Sequence, residues 1–84
     1  MNKLAGVYRG VVVRADDHDR WERVQIKIPA VSGDEEVWAL VAVQTRRALI
    51  PDQGDEVVVA FEAGDAERPI VLGRIAGRFA QSAT

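Results

Sequence analysis

The clearest alternation in the chain lies in Trp21 to Ile28: Val24, Ile26 and Ile28 share one side, and Arg23, Gln25 and Lys27 share the other. Period two is the mark of a strand with one buried and one wet face. Pro29 ends the run, because proline has no N–H to give to a ladder. A chain built on such a segment folds as sheet, and the rest of the sequence repeats the theme. Five strands are expected, at Val7–Arg14, Trp21–Ile28, Val37–Val43, Glu56–Glu62 and Pro69–Arg74, all rich in Val and Ile, whose branched side chains suit a pleated surface.

The first and third of these are apolar on both faces: Val11, Val12 and Val13 are consecutive, and likewise Trp38 to Val43. Two-sided apolar strands belong in a closed barrel or beneath another subunit. The connections carry turn chemistry. Ala15–Arg20 is a polar loop, Ser32-Gly33-Asp34 is a turn cluster, and Gln53-Gly54-Asp55 leads into the fourth strand. Gly64-Asp65 closes a hairpin between the fourth and fifth strands, with Pro69 opening the return. Only Gln44–Ile50 offers room for a helical turn, which Pro51 would stop.

Five short strands, with at most one short helical turn between strands 3 and 4, match the five-stranded Greek-key OB-fold barrel, an all-β plan. An SH3-like barrel is the competing architecture. The barrel is expected over residues 1–76 and a polar, fraying tail over 77–84.

With 84 residues there is room for one domain. A chain of this size buries only about 60% of the surface its unfolded form exposes, so a permanent partner covering apolar surface would stabilise it. Cysteine is absent, which excludes disulfides and thiolate metal sites. Met1-Asn2-Lys3-Leu4 lacks the apolar core of a secretory signal, and no apolar run approaches the ~20 residues that span a bilayer. The expected starting compartment is therefore the cytoplasm, with no stable membrane insertion.

The inventory argues against catalysis. Asp16-Asp17-His18-Asp19 offers three carboxylates and the lone histidine, but no glycine turn or distal ligand of a calcium loop and too few imidazoles for zinc. It reads as a solvated loop. Ser32 lies in a turn and Ser82 in the tail, with nothing tying His18 to either, and the paired carboxylates Glu35-Glu36 and Asp52/Asp55 sit in turns. No glycine-rich phosphate loop precedes a helix. No catalytic residue, metal ligand or cofactor site is nominated.

OB barrels often bind single-stranded nucleic acid. Such binding requires stacking aromatics in a basic groove. The net charge is −2, from 11 basic and 13 acidic residues, and the aromatics are only Tyr8, Trp21, Trp38, Phe61 and Phe79. Tyr8, Trp21 and Arg23 form the best alternative ligand face, for a single strand or a carbohydrate, but the charge balance argues against nucleic acid. An adaptor for a toxin or effector is a further alternative. Arg46-Arg47, the most basic point of the chain, reads equally as solvated loop or as contact to an acidic neighbour. Val11, Val12, Val13, Trp38 and Leu40 join the two arginines as candidate interface residues.

In the second half, Pro51-Asp52-Gln53-Gly54-Asp55-Glu56-Val57-Val58-Val59 is followed by Gly64-Asp65-Ala66-Glu67-Arg68-Pro69-Ile70-Val71-Leu72-Gly73. This order resembles the OB-fold domain of contractile-tail spike proteins: phage baseplate assembly protein V, the baseplate lysozyme hub and the VgrG spikes of type VI secretion. The first half is similar too, in Gly6-Val7-Tyr8-Arg9-Gly10-Val11-Val12, in Arg23-Val24-Gln25-Ile26-Lys27-Ile28-Pro29 and in Val37-Trp38-Ala39. Physical reasons accompany the motif. Gly54 and Gly64 suit turns with positive φ, Asp55 and Asp65 can cap them, Pro69 can start an edge strand, and Gly73 would admit a close backbone.

The resemblance implies a structural module of a baseplate or central spike: a homotrimer that joins a hub to a needle, spike or effector and ends up in a virion or injection particle. Two departures stand out. Gln44–Leu49 lacks the glycine-containing stretch common in the family, and these 84 residues contain neither a hub nor a needle or lysozyme domain. Those parts are expected on separate chains, or the sequence is one excised module.

Overall fold

A computed structural model describes residues 3–15, 23–42 and 50–77. Five strands are present among them: β1 (Tyr8–Arg14), β2 (Arg23–Lys27), β3 (Glu36–Val41), β4 (Glu56–Phe61) and β5 (Pro69–Arg74). They close into a barrel in the order β1-β2-β3-β5-β4. All neighbours are antiparallel except β3 and β5, which run parallel. This is the OB-type barrel the sequence implies. Each expected strand is present to within a residue or two at its described ends, and β5 matches at both ends.

The alternation that opened the sequence reading sets the inside of the barrel. Val24 and Ile26 of β2, with Ile28 just beyond it, point inward, as do Val57, Val59 and Phe61 of β4, Val12 of β1, Ala39 of β3 and Val71 of β5. Around this core pack Leu4, Tyr8, Val31, Val37, Val41 and Ile50. No polar or charged side chain is buried among the described residues, so the interior is held by apolar burial and the closed backbone ladder alone.

Helical turns occur where none was expected. The segment Pro29–Ser32 forms a short helix, α1, between β2 and β3. The proline that stops β2 also starts this helix, since a first-turn residue needs no N–H partner and φ is preset. Gly33 ends it, donating its N–H to the Pro29 carbonyl at 3.2 Å. A 3₁₀ turn over Glu62–Gly64 links β4 to β5. The helical turn anticipated within 44–50 falls almost wholly on residues outside the description, as does the tail from 78 onward.

Candidate assembly surface

The motif turns do what their residues allow. Gly54 has φ 91° and Gly64 φ 77°. The Asp55 carboxylate accepts a hydrogen bond from the Asp52 N–H at 2.8 Å, and the Asp65 carboxylate accepts one from the Glu67 N–H at 2.9 Å. These bonds fix the approach to β4 and the link into β5. Pro69 opens β5, buried and paired with Phe61 of β4 on one side, while the described β3–β5 pairing begins only at the next residue, Ile70. Gly73 admits no close neighbour, since a β-carbon there would meet nothing within 4 Å. The close approach is at Gly10, whose β-carbon would lie 3.0 Å from the Lys27 carbonyl oxygen.

The candidate interface residues separate by face. Val12 is 1% exposed and belongs to the core, so it cannot meet a partner. Its neighbours in sequence differ: Val11 is 38% exposed, and Val13, next to a register shift between Val12 and Arg14, is half-buried. The two-sided burial expected of the first and third strands is therefore absent in the single chain. Trp38 is 38% and Leu40 51% exposed on β3, and Leu72 is 43% exposed on β5. Arg46 and Arg47 lie outside the described residues.

Register joins several of these side chains. Leu40 pairs with Ile70 across the parallel β3–β5 seam, and Ile70 pairs in turn with Ala60 of β4. An apolar row thus crosses three adjacent strands on the outer wall, with Leu72 two residues beyond Ile70. Val11 has different company, pairing with Lys27 on one side and Glu56 on the other. Glu56 is itself bridged to Arg9 at 3.1 Å. The outer wall is therefore apolar along the Leu40–Ile70–Ala60 row and charged over β1. The Leu40–Ile70–Ala60 row was missed in the sequence because it depends on which strands become neighbours.

The alternative ligand face does not come together as a stacking platform. Tyr8 is half-buried and meets Phe61 edge-on, with ring centroids 5.4 Å apart. The Arg23 guanidinium lies over the Trp38 ring, 5.2 Å from its centroid. That contact occupies a face of the most exposed described aromatic. Trp21 and the Asp16–Asp19 cluster lie outside the description. Among the described residues no three His, Cys, Asp or Glu side chains are grouped to hold a metal, and no helix is long and apolar enough to cross a membrane.

A five-stranded barrel with this strand order, these capped turns and an apolar outer wall has a counterpart among characterised families. The family profile of the type VI secretion system/phage-baseplate injector OB domain matches residues 8–75. The chain belongs to that family. The match runs from the first residue of β1 to one residue past β5, so the injector OB domain and the barrel are the same unit. The family is structural rather than catalytic, and its setting is the baseplate or tail spike. Compared with individual curated proteins, this injector OB domain matches none.

Proposed function

We propose that this injector OB domain is a self-associating module of a central spike, assembling as a homotrimer and joining a hub to a needle, spike or effector. The observation that carries this reading is the apolar row Leu40–Ile70–Ala60 with Leu72, left on the outside of a barrel whose interior is already filled. Contiguous exposed apolar surface of this kind marks a contact with another macromolecule. In a small domain it also supplies burial that the lone chain lacks. Family membership supports the setting, a virion or injection particle, and the absence of a catalytic role. The half-buried Tyr8 and the Arg23-covered Trp38 favour this reading over single-strand or carbohydrate binding.

Multi-angle light scattering over a concentration series tests the assembly. The expected mass is three times 9.2 kDa, falling to a monomer in Leu40→Lys and Leu72→Lys, whose side chains face solvent in the single chain. A wild-type monomer at every concentration would remove autonomous trimerisation. A trimer unaffected by both variants would move the contact to another face.

A further inference from the structure

The barrel closes between β3 and β5 by a short seam. Among the described residues Leu40↔Ile70 and Val41↔Val71 pair there, extended by the Ala42 N–H donating to the Val71 carbonyl at 2.9 Å. Backbone groups alternate along a strand, so the N–H and C=O of Trp38 and Glu36 point to the same side as those of Ala42. Continuing the ladder toward them would need a donor at Pro69, and proline has none. Among the described residues none pairs with these groups of Trp38 and Glu36 on that side. Among the described residues, the first half of β3 is thus an open strand edge in an otherwise closed barrel.

A groove of about 650 Å³ runs along this edge, between β3 and the chain leading into β5. Its floor is apolar, from Ile28, Val31, Phe61 and Pro69. Glu35, Glu36 and Glu67 line it as well, and among the described residues no lysine or arginine does. An unpaired edge supplies backbone hydrogen bonds to an added strand, and a flanking groove takes its alternate side chains. Carboxylates at the margin select for cations.

We infer that the Glu36–Trp38 edge is a docking site for an extended peptide segment of a partner protein. The segment adds to β3 in the track that β5 leaves empty. Apolar side chains at every second position enter the groove, and lysine or arginine at the positions between meets Glu35, Glu36 and Glu67. The site uses a different part of β3 from the Leu40–Ile70 row, so it stands whether or not the domain trimerises.

The test titrates the full chain, ¹⁵N-labelled, with a capped peptide alternating valine and lysine, six residues and about 20 Å long. Two control peptides are used: one with glutamate in place of lysine, the other N-methylated on alternate backbone nitrogens. The expected result is saturable shifts at the amides of Glu36, Val37 and Trp38, with exchange of the Trp38 amide slowed about tenfold or more. The glutamate peptide binds at least about tenfold more weakly, and the N-methylated peptide loses binding. In the full chain, Glu67→Lys lowers affinity for the lysine peptide by about tenfold while leaving the spectrum folded, since this side chain is exposed. Absence of saturable binding at millimolar peptide, shifts centred on the Val11 face, or equal binding of the N-methylated peptide would overturn the assignment.

Discussion

At Gly10 a β-carbon would lie 3.0 Å from the Lys27 carbonyl oxygen and 3.3 Å from a Val59 methyl group. Neither neighbour can withdraw easily, since one is backbone in β2 and the other a core side chain. Gly10→Ala is expected to destabilise the domain by about 1–3 kcal/mol, the usual cost of overpacking. Gly73→Ala, with open space around it, is the matched control and should stay within about 0.5 kcal/mol. Gly64 is held on two counts: φ is 77° and the added carbon would come 2.7 Å from the Lys3 β-carbon. Gly64→Ala should therefore cost about 1–3 kcal/mol. For Asp55→Ala the loss is one turn hydrogen bond, about 0.5–1.5 kcal/mol. Urea titrations of these four variants check the ranking, which fails if Gly73→Ala equals Gly10→Ala.

At the scale of elements, Ile26 sits at 0% exposure on the strand with the plainest alternation, and Ile26→Ala is expected to cost about 2–5 kcal/mol by thermal or urea unfolding. The Arg9–Glu56 bridge makes the opposite case. Both side chains are more than half exposed, so Arg9→Ala should change stability by less than about 1 kcal/mol. Strands were legible because burial has period two, and Val24, Ile26 and Ile28 declare their face directly. Three consecutive valines do not: whether Val11 or Val12 faces inward depends on the phase of β1, which Gly10 and Val12 set by sharing the inner side. The same spacing could have marked Gly10, rather than Gly73, as the tight glycine. Helix α1 was hidden because four residues are too few for a 3.6-residue period to show. The apolar outer row was hidden because the β3–β5 pairing joins Leu40 to Ile70, partners 30 positions apart in the chain.

At the scale of the molecule, the outer wall has two characters, and salt should tell them apart. Association through Leu40, Ile70 and Leu72 gains from apolar burial, which ions do not screen, so the assembled mass should persist from about 0.15 M to about 1 M sodium chloride. Dissociation on raising the salt would place the contact on the charged β1 side instead. The strand order carries a further consequence, for timing. β5 is the last of the five strands to be made, and it slots between two older ones, β3 and β4. It acts as a keystone: before it arrives neither seam exists, and although its pairing with β4 is a local hairpin, its pairing with β3 joins residues 30 positions apart and is slow to find. It also brings Ile70 and Leu72. On the proposed assembly, a half-made subunit would lack two of the three residues, Ile70 and Leu72, through which it mates, and recruitment into a particle would be restricted to chains that have finished folding.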